Sequence, residues 1–448
     1  MMRVIDNHRA ELSPIPVDWV HTRMKAAVRK YQNKKNEDES TTVLSLTKSG
    51  LKIKTDLSFG KSTESYIGHQ IVNKGQFVFT PRDFDATPIL CGVSDYNGCI
   101  SNLYIVFDVA ESVYPKYLEY YLYGLKYGFN YFQKLSFGMR YSFNHKQFEH
   151  IPLIYPNYEV QKEIADFLDR ETDHIEQLIE KKQRLIVVLQ EKQASLINNI
   201  VRNGMLPNTI MKKINFSGIN LIPECWDVKK LRHLGGLQNG ISESAEYFGE
   251  GYPFVSYGDV YNHFTLPENV SGLAKSSDND RRRYSVLAGD VFFTRTSEVA
   301  EEIGISSVCL ETVDNATFSG FLIRFRPNAK TLLPNFSKYY FRSDIPRLFF
   351  VKEMNLVTRV SLSQGLLKSL PVIIPPIEEQ EKISHYLDMK TAKINLLIKN
   401  IEHSINRLKE FRSSLITEAV TGQLDIELWK KRGSTDERLD NIEESMRT

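Results

Sequence analysis

The sequence predicts an α/β (α+β) globule made twice, each copy followed by one long helix, with the two helices pairing as an antiparallel coiled coil. Three observations in the 448 residues carry that reading. One internal repeat keeps its register over a long stretch, apolar residues inside it recur in heptads, and matching strand-and-turn landmarks precede both copies.

Residues 151–169 read IPLIYPNYEVQKEIADFLD, and residues 370–388 read LPVIIPPIEEQEKISHYLD. A constant offset of 219 pairs Pro152 with Pro371, Gln161 with Gln380, Ile164 with Ile383, and Leu168-Asp169 with Leu387-Asp388. The same offset continues to Ser195-Leu196-Ile197 and Ser414-Leu415-Ile416, farther than chance keeps one register. Both copies open on proline followed by acidic residues, the first-turn chemistry that a helix dipole favours. Leu387, Ile394, Ile401, Leu408 and Leu415 recur every seventh residue in the second copy. Leu168, Ile175, Leu189 and Leu196 follow that spacing in the first, with Lys182 interrupting it. Ile383, Leu397 and Phe411, and Ile164, Leu178 and Leu185, supply a second row of the seam. Such helices reach roughly 60 Å at ~1.5 Å per residue, too long for burial in one globule. Two equal seams can bury each other instead. Antiparallel pairing is expected because each globule precedes its own helix, and the helix length would then act as a ruler between two surfaces.

Ahead of the helices, Ile15-Pro16-Val17-Asp18-Trp19 parallels Ile222-Pro223-Glu224-Cys225-Trp226. Gly75-Gln76-Phe77-Val78-Phe79-Thr80 parallels Gly289-Asp290-Val291-Phe292-Phe293-Thr294, each a turn feeding an apolar strand. A second strand is expected over Leu103 to Phe107 and Phe321 to Phe325, then a short aromatic helix near Pro115 and Pro334. The resulting division is 1–154 for the first globule and 155–205 for the first long helix. The second globule is then 206–373, the second long helix 374–426, and a charged tail, frayed or extra helix and without assigned function, 427–448. A duplicated frame with diverged loops suits two differently shaped surfaces held by one scaffold.

Composition narrows the function classes. The chain is too long for one core, and its 42% hydrophobic and 25% charged residues are those of a globular protein. No run of about 18 apolar residues exists, and Met1-Met2-Arg3-Val4-Ile5-Asp6 is charged where a leader is apolar, so a cytoplasmic chain is expected. Cys91, Cys99, Cys225 and Cys309 form no C-x-x-C pair and read as four packed thiols. A net charge of +2 lacks the excess of a non-specific nucleic-acid binder but allows local basic patches. No metal site or catalytic centre is expected. There is no Asn-Pro-Pro or Asp-Pro-Pro, no H-x-x-x-H pair among ten histidines, and Thr55 stands where a phosphate loop ending in Gly60-Lys61-Ser62 needs glycine.

The I-P-x-x-W openings, the run G-D-V-F-F-T-R-T, and above all P-P-I-E-E-Q-E-K-I at the start of a heptad helix resemble type I restriction–modification specificity subunits. The likeness covers nearly the whole chain, in the order target-recognition domain, conserved helix, target-recognition domain, conserved helix. The first copy departs from it, with Asn157-Tyr158-Glu159-Val160 where the second has Pro376-Ile377-Glu378-Glu379. The resemblance implies that each globule reads one part of a split double-stranded DNA target. It further implies that the helices dock two modification subunits, which carry S-adenosylmethionine and methylate adenine, and that restriction subunits join that core. This chain would bind no cofactor itself.

Base reading needs Arg, Lys, Asn and Gln, while Lys, Arg and Ser anchor phosphates. Arg140-Tyr141-Ser142 and Arg359-Val360-Ser361 share the 219 offset, and a framework arginine placed alike in both halves suits phosphate or a structural ion pair. The half-specific candidates are Lys48, Lys52, Lys54, Lys61 and Arg82 in the first globule, and Asn262, Arg281, Arg282, Arg283 and Arg295 in the second. Two other classes stay open: a specificity fragment of a single-chain modification–restriction enzyme, and a coiled-coil scaffold that binds no DNA.

Overall fold

The computed structural model describes residues 15–31, 34–47, 50–55, 65–81, 90–135, 144–206, 209–216, 219–297, 302–328, 331–353 and 360–431. Two units result: residues 1–183 with 401–448, and residues 184–400. Each unit therefore holds one globule, the start of that globule's own long helix and the end of the other long helix.

The first unit is built on β1 (Val28–Lys30), β2 (Phe77–Phe79), β3 (Cys91–Val93) and β4 (Ile105–Val109). They form one antiparallel sheet in the order β1-β4-β2-β3, with Phe77 opposite Phe107 and Phe79 opposite Ile105. The second unit repeats it with β5 (Gly235–Asn239), β6 (Val291–Thr294), β7 (Ser306–Val308) and β8 (Leu322–Pro327). Their order, β5-β8-β6-β7, is the same, with Val291 opposite Phe325 and Phe293 opposite Ile323. Strands β2 and β6 are buried at every position, as an apolar run without polar alternation requires when both faces are covered. In β6 the strand period sorts the side chains: Val291 and Phe293 enter the main core with Phe325 and Phe336, and Phe292 enters a second cluster with Phe318 and Val260.

Four helices complete the frame: α1 (Pro115–Tyr127), α2 (Tyr158–Asn203), α3 (Pro334–Tyr340) and α4 (Ile377–Val420). α1 and α3 each carry proline in the first turn, where a missing N–H costs nothing. The repeated glutamine explains the repeated helix start. Gln161 is fully buried; its Nε2 donates to the Ser112 and Pro156 carbonyls, and its Oε1 accepts from the Tyr114 amide at 2.8 Å. Gln380 does the same with the Thr331 and Pro375 carbonyls and the Leu333 amide. Tyr120 donates to Asp169 and Tyr339 to Asp388, both at 2.6 Å, which locks α1 to α2 and α3 to α4. Both long helices stop at a left-handed glycine, Gly204 at φ +76° and Gly422 at φ +72°.

Within each unit the long helices run antiparallel. In the first, Glu176 meets Arg412, and Lys430, past the end of α4, reaches Glu163 near the start of α2; in the second, Gln193 meets Asn395 and Gly204 lies beside Glu379. The seam is not uniform. Leu168, Ile175, Leu387, Leu408 and Leu415 are buried, but Leu189, Leu196, Ile394 and Ile401 are only half-buried. The expected second row fails in the middle, where Leu185 is 47% and Leu397 43% exposed. A lone pair of helices leaves water around most of each circumference, whereas Ile383 and Leu387, which share a core with strands of the second globule, are fully buried.

Two further expectations need correction. Cys91, Cys99 and Cys309 are buried, but Cys225, in the turn before Trp226, is exposed. Strands β4 and β8 start later than expected, because Leu103 and Phe321 sit in turns closed by Ser101 and Ser319. The first residues of the tail fold as α5 (Ile426–Lys431), whose Trp429 packs between Phe167 and Phe411, with ring centroids 5.7 and 6.2 Å away.

Candidate nucleic-acid interface

At the C-terminal end of β6 the second unit gathers residues from five separate segments. Thr294 pairs with Leu322, and the chain then leaves the sheet as Arg295. The Arg295 amide donates to the Phe321 carbonyl at 2.9 Å, and its carbonyl accepts from the Leu362 amide at 2.7 Å. Thr296 and Ser297 go on to pair antiparallel with Ser361 and Val360. The T-R-T run and the Val360-Ser361 part of the R-V-S run thus come side by side, although about 60 residues of chain separate them. β5 ends at the same place: Asn239 pairs with Ile323 and accepts from Gln364 Nε2 at 2.9 Å.

The fifth segment is the short helix Tyr257–Asn262. A capping box between Ser256 and Asp259 starts it, and the Tyr257 hydroxyl donates to the Thr296 carbonyl at 3.1 Å. Arg342 ends it, donating to the carbonyls of Val260, Tyr261 and His263 at 2.7–3.0 Å. Burial pushes the Arg342 guanidinium down to about 10, so it stays charged at neutral pH while satisfying the orphan carbonyls of the helix end. Tyr257 and Tyr261 stack along this helix at 5.8 Å, and Asn262 stands exposed at its last position. Arginine, amides, hydroxyls and aromatic faces on one sheet end are the groups that grip phosphates and meet base edges.

The other basic candidates lie elsewhere. Arg281, Arg282 and Arg283 close the helix Asp278–Arg283, which leads to Ser285. Arg324 and Arg326 hold the Ser285 carbonyl, and Arg324 pairs with Phe292, towards the end of β6 opposite Arg295. Arg281 is engaged internally: its guanidinium lies 3.7 Å from the Tyr252 ring centre and bonds to Ser276 and Asp278. Arg282 and Arg283 are exposed. In the first unit Lys52 is exposed on the strand Gly50–Ile53, and Lys54 is half-buried beside it. Lys48, Lys61, Arg82, Arg140 and Arg359 lie outside the described residues. Asn239, Gln364, Tyr257 and Phe321 were not expected at a site. The Ser256 and Ser363 caps mark two of these segments locally, but strand pairing and the Tyr257–Thr296 and Gln364–Asn239 hydrogen bonds bring them together.

Residues 23–187 and 223–407 match the family described as type I restriction modification DNA specificity domain. The EcoKI specificity subunit of Escherichia coli (strain K12), a type I restriction enzyme subunit, is 23% identical over 290 residues, covering 62% of this chain and 58% of that relative. The putative type I restriction enzyme MjaX specificity subunit of Methanocaldococcus jannaschii is 25% identical over 213 residues, covering 47% and 50%. The chain thus spans less than two thirds of the curated relatives it matches. A solved structure from a study of complex assembly and conformational transition of the type I R-M system superposes with a TM-score of 0.68 at 15% identity. It covers 92% of this chain and 99% of that one, a likeness of fold.

Proposed function

From the premise that the chain belongs to the type I restriction modification DNA specificity domain family, which it matches twice, we propose that it is the DNA-recognition subunit of a type I restriction–modification complex. Each globule reads one half of a split double-stranded target. The subunit is non-catalytic and holds no cofactor; two modification subunits bring S-adenosylmethionine and methylate adenine, and restriction subunits join them. The observation that carries this reading is the duplication itself. Two sheets of identical strand order end in segments of different chemistry: Arg295 follows β6, whereas Pro81 stands at the matching place after β2.

The proposal is tested with labelled S-adenosylmethionine. The purified chain alone transfers no methyl group to DNA, and adding a modification subunit gives adenine methylation confined to one bipartite sequence. Methyl transfer by the chain alone would contradict the reading. So would methylation by the modification subunit that is equally efficient and equally placed without this chain.

A further inference from the structure

Both units expose one large apolar side chain at the same place in the frame. Leu103 is 54% and Phe321 is 62% exposed. Each lies two residues before the strand residue that faces the second phenylalanine of the Phe77–Thr80 or Val291–Thr294 run, Ile105 opposite Phe79 and Ile323 opposite Phe293. The turns are built alike. The Leu103 amide donates to Ser101 Oγ at 3.3 Å, and the Phe321 amide to Ser319 Oγ at 3.2 Å. The next amides, of Tyr104 and Leu322, donate to the carbonyls of those same serines.

Each turn is also held from outside, by unrelated chemistry. Gln70 Nε2 donates to the Ser101 and Tyr104 carbonyls at 2.8 and 2.9 Å, and Asn102 Nδ2 donates to the Gly68 carbonyl. In the second unit the Gly320 amide donates to the Ile241 carbonyl at 2.7 Å. Gly320 has no room for a side chain there, since a Cβ would lie 2.0 Å from Ser242 Oγ. A tip with a repeated design, tied down by unrelated partners in the two halves, is a part of the frame that keeps a large apolar residue in water.

We propose that Leu103 and Phe321 are wedges that enter the stack between neighbouring base pairs, one in each half of the target; this rests on the DNA-recognition reading above. Apolar side chains inserted at base steps unstack and kink a duplex, and a tip fixed in advance loses little conformational freedom on insertion. The setting favours DNA over a protein partner. A stable protein interface needs about 800 Å² from each partner. These residues instead stand on serine-bearing turns flanked by Asn102 and Gly320, and Arg295 is bonded to the turn of Phe321. An arginine beside the wedge is placed to hold a phosphate while the ring enters.

The full chain with its modification subunits is bound to duplexes of its own target, found by mapping methylated adenines. The fluorescent analogue 2-aminopurine replaces adenines one at a time, and its emission rises on unstacking. The wild-type complex should raise emission at one step in each half. F321A should abolish the rise in one half and L103A in the other, each with about tenfold weaker binding, while F321W and L103F retain it. Both residues are exposed, so all four variants should melt with the wild type. Unchanged emission in F321A and L103A, or no rise with the wild type on a bound duplex, overturns the wedge. So does weaker assembly with modification subunits at unchanged emission. A complex that binds no bipartite duplex at all refutes the DNA-recognition reading itself.

Discussion

The two units solve one structural problem with partly different residues. In the second, Trp226 is fully buried and donates its indole N–H to Glu379 at 2.8 Å. In the first, Trp19 takes the equivalent place, and the α2 position matching Glu379 is Val160. Likewise Asp388 is paired by Lys338 at 2.7 Å, whereas Asp169 lies 3.7 Å from Lys116, one helical turn earlier in α1. The position matching Lys338 is Glu119, a buried carboxylic acid that burial pushes above the usual range and that Lys116 partly offsets. What both units keep is the Gln161/Gln380 anchor, the Tyr120–Asp169 and Tyr339–Asp388 lock, and the sheet order. The difference teaches that the frame depends on a few buried hydrogen-bond hubs, and charge pairs around them are interchangeable.

The largest effect should come from a hub. Gln380→Leu removes three hydrogen bonds at a fully buried site and leaves their partners unsatisfied, so unit two should lose about 3 kcal/mol or more. Gln161→Leu should do the same to unit one. Chemical denaturation followed by hydrogen exchange should report each loss in its own unit, and a small effect in either would break the equivalence. Trp429→Ala should rank next, costing unit one about 2 kcal/mol through two lost ring contacts and the area they cover. Hydrogen exchange near Phe167 and Phe411 should rise with it. Glu379→Val, which copies the first unit into the second, should cost only about 1 kcal/mol, from one unpaired indole N–H. A larger loss would mean that the halves are less interchangeable than they look.

How much of this was legible follows from where each signal lives. The helices and their glutamine anchors were, because Gln161 and Gln380 lie in an unbroken repeat and a helix is a local object. The exposed middle of the seam was not, since heptads mark a face without telling what else covers it, as Leu185 and Leu397 illustrate. Leu103 and Phe321 read as strand starts because apolar residues continue into β4 and β8, while the serine turns that expel them depend on hydroxyl geometry. The interface was visible only in pieces. Arg295 and the R-V-S run were both picked out, but their adjacency depends on pairing between distant strands. The docking of Trp429 is also non-local: its partners Phe167 and Phe411 belong to two different helices.

The central claim is that each globule reads its own half of the target. Replacing residues 14–150 with the corresponding region of a relative, and then mapping methylated adenines across a genome, tests it most directly. The account predicts that one half of the bipartite sequence changes to that of the donor and the other half stays as it was. A swap that altered both halves together, or neither, would contradict it.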